Sequence, residues 1–203
     1  MNEEAIRAGL DALAAREPVL ARELARIGYP EPRIRDRGFA TLLRTIVGQQ
    51  VSVAAAASIW RRVEERVGAP PRPDALLALG DEDLRACGLS RQKIRYARSL
   101  AELVSTGALD LHALPSEDEE AIALLIKVQG IGRWSAEIYL MFAEGRPDIW
   151  PAGDLAVQEG LGRMLSLPAR PTEREVRAMG EPWRPHRSAL ALFTWHAYVN
   201  PAL

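Results

Sequence analysis

The chain has 203 residues, enough to bury one core or two small lobes, and it carries 26 Lys and Arg against 27 Asp and Glu, for a net charge of -1. That balance argues against a uniformly basic nucleic-acid-binding surface, and no apolar run reaches the roughly 20 residues that span a bilayer. One cysteine, Cys87, excludes an internal disulfide and a four-cysteine cluster. The three histidines, His112, His186 and His196, share no metal-ligand spacing. With an acidic Met-Asn-Glu-Glu start and no secretory signal, a cytoplasmic protein is expected.

Taken in order, apolar residues recur three and four apart, with Gly and Pro as punctuation and no sustained two-residue alternation, so the expected class is all-α. Helices are predicted over 3–15 and 18–27, with Pro30 and Pro32 separating them from the rest. Next come 38–47, ending at Gly48, and 52–67, capped by Ser52, so that Gln49 and Gln50 fall in a short connection. Segments 74–79, with Asp74 as its cap, and 81–87, stopped by Gly88, precede 90–106, which Ser90 opens and Gly107 stops. Here Arg85, Arg91, Lys93, Arg95 and Arg98 form a run without an acid, whereas residues 117–120 are Glu-Asp-Glu-Glu. The basic run suits a phosphate backbone, and it reads equally as a solvated helix face.

A helix over 116–127 is signalled by Pro115 and by a Ser116-x-x-Glu119 capping box. Gly130-Ile131-Gly132 must then turn the chain tightly before a helix over 133–144, whose N-H groups and positive dipole end suit a phosphate. From Gly-x-Gly alone, a plain helical corner with glycine for steric reasons is an equal reading. Helices over 154–165, 172–179 and 186–198 complete the chain, the second behind a Thr172-x-x-Glu175 box. Asp154, after Pro-Ala-Gly, has the form of a helix cap. Tyr139, Trp183 and Trp195 are either core aromatics or walls of a pocket. Glu137 and Asp148 read as surface residues, and Arg187 with Ser188 as supports for a site or partners of a structural acid.

The pattern from Leu125 to Asp154, with Gly-Ile-Gly-Arg-Trp-Ser-Ala and an Asp twenty-odd residues on, resembles the helix-hairpin-helix DNA glycosylase superfamily, within it the DNA-3-methyladenine glycosylase II family. Further matching stretches are Ile46-Val-Gly-Gln49-Gln50-Val-Ser52, Gly88-Leu-Ser90-x-x-Lys93 and Trp183-x-Pro185-x-Arg187-Ser188, so the resemblance covers about residues 38 to 199. It implies a single glycosylase domain over 1–203, a compact two-lobed helical bundle with a central cleft, a hairpin motif over about 116–145 and a catalytic segment over about 150–165. Larger relatives add an N-terminal α/β domain, for which some 35 helical residues are too few.

The resemblance also implies the site. Gln49, Gln50, Lys93, Gly130, Ile131, Gly132, Arg133 and Ser135 would bind DNA, with Gln50 filling the stack that a flipped base vacates. Trp134, Tyr139 and Trp183 would form the base pocket. Members that also cleave the strand carry Lys at the position of Trp134; this chain would instead release the base by water. The π face of Trp134 would favour a cationic alkylated base by about 0.5 to 2 kcal/mol. Asp154 would be the catalytic carboxylate, favoured in its charged form at a helix start and placed to stabilise an oxocarbenium-like sugar. Members hold Na+ or K+ on hairpin carbonyls, here those of Ile126, Val128 and Ile131; no cofactor is required, and the iron-sulfur cluster of some members has no cysteines here. The implied activity is monofunctional release of 3-methyladenine, and of 7-methylguanine, from double-stranded DNA with damaged bases, by a monomer near the nucleoid. The rivals are a non-catalytic hairpin DNA-binding repair module, or a glycosylase for hypoxanthine, uracil or oxidised bases.

Overall fold

The computed structural model describes residues 1–200, which contain α-helices, one π-helical turn and one 3-10 turn and no strand. Two compact units are formed, one by residues 1–34 and 137–203, the other by residues 35–136.

The chain opens with α1 (Glu3–Ala14) and α2 (Pro18–Ile27). The Asn2 side chain caps the first, accepting from the Ala5 N-H, and Pro18 starts the second in the first-turn position that tolerates its missing N-H. Ile6, Leu10 and Leu13 recur along one face of α1 and are fully buried.

In the second unit, α3 (Phe39–Gly48) and α4 (Val53–Val67) form a helical hairpin around Gln49–Ser52, with Ser52 capping α4 through the Ala55 N-H. Two short helices, α5 (Pro73–Leu77) and α6 (Asp81–Ala86), lead into α7 (Arg91–Ser105), which Ser90 caps through the Lys93 N-H. Asp74 does not cap α5: Pro73 occupies the first position, Arg72 is the cap residue, and the Asp74 carboxylate takes the Arg72 guanidinium at 3.2 Å. The α8 helix (Asp118–Leu125) starts two residues inside its predicted span of 116–127, one residue later than the capping box places it. Glu117 is its cap residue and makes no side-chain cap bond, and Glu119 is engaged by the Arg133 guanidinium at 2.9 Å.

From the turn at residues 126–132, α9 (Arg133–Tyr139) carries the chain back into the first unit and passes into a π-helical turn over Leu140–Glu144. That widening, absent from the helix predicted over 133–144, coincides with the successive burial of Leu140, Met141 and Phe142. A left-handed Gly145 ends it. The remaining helices are α10 (Leu155–Met164), α11 (Glu173–Met179) and α12 (Arg187–Val199), with a 3-10 turn over Glu181–Trp183 that the periodicity does not reveal. Thr172 and Glu175 form the expected reciprocal box before α11. At the α10–α12 crossing a Cβ on Gly160 would lie 2.5 Å from the Thr194 carbonyl oxygen, so only glycine permits that approach. Phe193, Leu190 and Leu161 on the same two helices are buried.

Candidate active site and nucleic-acid-binding hairpin

Asp154 is the N-cap of α10, as its local sequence signals. Its Oδ1 accepts from the N-H groups of Ala156 at 2.9 Å and Val157 at 3.0 Å. A third donor, invisible in the sequence around it, is the indole Nε1-H of Trp195, at 2.8 Å. Charge-assisted bonds from donors on two helices fix this carboxylate more firmly than an exposed cap alone would. Trp195 is 9% exposed, packs at 5.7 Å against Phe142, and has the Arg33 guanidinium 5.7 Å from its ring centre. The order of the sequence left Trp195 undecided between core and pocket. Its N-H contact gives it a part in the site.

Behind it, α12 is anchored by an ion pair that corrects the expectation for Asp148. That residue is no surface acid: Oδ1 takes Arg187 Nε at 2.8 Å and Oδ2 takes Nη2 at 2.8 Å, and Arg184 Nη1 adds a contact at 2.6 Å. Ser188 extends the anchor, its N-H donating to the Pro147 carbonyl at 3.0 Å and its hydroxyl to the Arg146 carbonyl at 2.7 Å. Glu137 is likewise buried, 2% exposed and 3.6 Å from Arg177, because α9 is covered all round from Ser135 to Tyr139.

The aromatics separate. Trp134 is 46% exposed at the start of α9, beside the exposed Gly132, and so presents its ring outward. Tyr139 is buried in the last turn of the same helix. Trp183, expected in the base pocket, is turned into the core by its 3-10 turn: it meets Trp150 edge-on at 5.7 Å and donates Nε1-H to Glu17 at 3.1 Å. Satisfying that buried N-H holds the indole there.

At the hairpin the two glycines differ. Gly130 has φ +81, and a Cβ on it would sit 2.1 Å from the Tyr96 ring; Gly132 needs no positive φ, and a Cβ there would meet open space. The turn closes through the Ile131 N-H on the Val128 carbonyl at 3.1 Å, and Ile131 buries its side chain as an anchor. The exposed residues of the turn are Ile126, Lys127, Gln129, Gly130 and Gly132, followed by Trp134. Ser135, expected to touch DNA, is buried in α9. Arg133 pairs with Glu119 at the surface. Gln49 and Lys93 also turn inward: Gln49 Nε2 donates to the Gly130 carbonyl and Lys93 Nζ to the Val47 carbonyl, both at 2.8 Å, and partial burial lowers the Lys93 pKa. Gln50 is exposed and left-handed, with φ +54.

Helices α8 and α9, joined by the turn at Gly130–Gly132, have the form of a helix-hairpin-helix, and Asp154 is locked at the start of α10. Residues 43–185 match the model of the HhH-GPD superfamily base excision DNA repair proteins, and the chain belongs to that family. It is 34% identical over 161 residues to the DNA-3-methyladenine glycosylase 1 of Schizosaccharomyces pombe, covering 77% of this chain and 71% of that protein. It spans 57% of the length of the Bacillus subtilis relative YfjP. Among solved structures it is similar to a DNA-3-methyladenine glycosidase from Bacillus halodurans, with a TM-score of 0.86 and 31% identity over 94% of this chain and 88% of the other. It is also similar to the S. pombe 3-methyladenine DNA glycosylase in complex with abasic DNA, with a TM-score of 0.80 and 29% identity over 93% and 95% of the two chains.

Proposed function

We propose that this protein is a monofunctional DNA glycosylase that flips alkylated purines, chiefly 3-methyladenine and also 7-methylguanine, out of double-stranded DNA and hydrolyses the N-glycosidic bond. The observation that carries the reading is the Asp154 carboxylate, with Oδ1 fixed by Ala156, Val157 and Trp195. Together these donors set the plane of the carboxylate before any substrate arrives.

In the reaction the C1′–N bond breaks and its electron pair leaves with the base. An alkylated purine is cationic, so it departs neutral without a proton donor. Asp154 stabilises the positive charge that develops on the sugar, and a water oxygen adds to C1′ while its proton passes to the carboxylate or to solvent. Trp134 occupies the position at which a lysine would be needed for strand cleavage, so the product is an abasic site in an intact strand. The exposed turn at Gly130 and Gly132 meets the phosphate backbone, and Gln50 fills the gap in the stack. Carbonyls of Ile126, Val128 and Ile131 are the groups that would hold Na+ or K+ at the turn; the Val128 carbonyl, which accepts one N-H, keeps a second lone pair for it. The protein acts as a monomer in the cytoplasm, on nucleoid DNA; no helix among the described residues is long and apolar enough to cross a membrane.

Base release from methylated duplex by wild type and Asp154→Asn is the test, with strands checked for breaks before alkali. Release of 3-methyladenine by the wild type alone, from unbroken strands, supports the reading. Release from hypoxanthine or uracil duplex in its place favours the rival substrates, and no release from any lesion favours a DNA-binding module.

A further inference from the structure

Lys93, Tyr96 and Ser99 lie three residues apart along one face of α7, and each holds one of two neighbouring segments. Lys93 Nζ donates to the Val47 carbonyl in the last turn of α3, at 2.8 Å, taking up one of the carbonyls a helix end leaves unsatisfied. The Tyr96 ring fills the space where Gly130 lacks a Cβ. Ser99 Oγ accepts from the Gln129 N-H at 3.1 Å, one residue earlier in the hairpin turn. Gln49 then joins the two segments directly, its Nε2 donating to the Gly130 carbonyl at 2.8 Å. The next residue, Gln50, is exposed with φ +54. A non-glycine residue stays in that region only where its surroundings over-determine it: on its N-terminal side the Gln49 and Lys93 bonds fix residues 47 and 49, and on its C-terminal side Ser52 caps α4.

We propose that Gln49 and Lys93 are positioning residues and not DNA contacts: with α7 as a common rail, they hold Gln50 in fixed register with the Gly130–Ile131–Gly132 turn. The inference rests on the glycosylase reading and deepens it. Once the hairpin seats on the phosphates, the side chain that must enter the base stack is already placed, so little freedom is lost at the moment of flipping. Lys93 spends its charge on a helix end, and Gln49 its amide on a carbonyl.

The experiment uses the full chain with Gln49→Met and Lys93→Met, which keep side-chain length and remove the donor. Single-turnover release is measured at saturating protein on a duplex with paired methylated bases and on one whose methylated base is held unpaired in a bulge. Binding to undamaged duplex is followed across a salt series. Gln49→Met should slow release from the paired duplex about three- to tenfold, keep undamaged binding within about twofold, and regain most of its rate on the bulge, where flipping is already done. Lys93→Met should leave the slope of log affinity against log salt unchanged, whereas a phosphate-contacting lysine would lower it by about 0.9. The proposal is overturned for Gln49 if release from the paired duplex is unchanged or falls in step with undamaged binding, and for Lys93 if the slope drops. Should the wild type free no base from either duplex, the glycosylase reading fails, while the salt series still decides the role of Lys93.

Discussion

The indole N-H of Trp195 donates to Oδ1 of Asp154 at 2.8 Å, joining the last helix of the chain to the start of α10. The same oxygen takes the two cap N-H groups, so helix capping and site geometry share one atom. Replacing Trp195 by Phe keeps an aromatic ring beside Phe142 and removes the donor together with part of the buried indole. We expect single-turnover base release to fall about tenfold with damaged-duplex affinity held, as a carboxylate that loses its donor from α12 while keeping its two cap bonds is placed less tightly. An unchanged rate would remove Trp195 from the site.

Asp154 itself permits a separation of roles. Asn caps a helix as well as Asp, so Asp154→Asn should melt close to wild type, bind damaged duplex and release no base. Asp154→Ala should lose the activity and also about 1 kcal/mol of stability with the cap. Calorimetry beside a base-release assay checks both, and turnover by the Asn variant would refute the assignment.

The hairpin glycines should behave differently. Gly130→Ala places a Cβ 2.1 Å from the Tyr96 ring at φ +81, and should destabilise the protein by about 2 kcal/mol or more. Gly132→Val meets open space, so it should fold normally and weaken binding to damaged and undamaged DNA alike. Equal melting temperatures for the two variants would show that the turn is not built as described.

Arg133 is neutralised at the surface by Glu119. An exposed pair of this kind contributes little to stability, about 0 to 1 kcal/mol. Glu119→Gln should therefore leave folding intact while removing one acidic partner from the cation beside the turn. Tighter binding to undamaged duplex is expected, with a salt slope steeper by about 0.9, and no change in either would show that Arg133 faces no phosphate.

Breaking the buried anchor of α12 should be costly. Asp148→Asn leaves Arg187, 8% exposed at its side chain, with the more exposed Glu181 at 3.3 Å in place of its bidentate carboxylate, and about 3 kcal/mol of stability should be lost in denaturant unfolding. A loss below 1 kcal/mol would mean that Arg184 and Glu181 re-form the network without Asp148.

The chain's own residues determined much of this in advance. The helices fall close to their predicted spans because periodicity, Ser90, Ser52 and the Thr172–Glu175 box act within one turn of the backbone. Asp154 announces itself as a cap for the same reason, and Gly130 as a turn. What only the tertiary structure decided lies in contacts with no local signature. Trp195 reaches Asp154 across 41 residues, Gln49 reaches Gly130 across 81 and Lys93 reaches Val47 across 46. Glu137, Ser135 and Trp183 are buried because the packing around their segments, and not their polarity or spacing, sets what is covered. A capping preference is a property of four neighbouring residues, whereas a side chain's partner is settled only when distant segments come to share the same few ångströms.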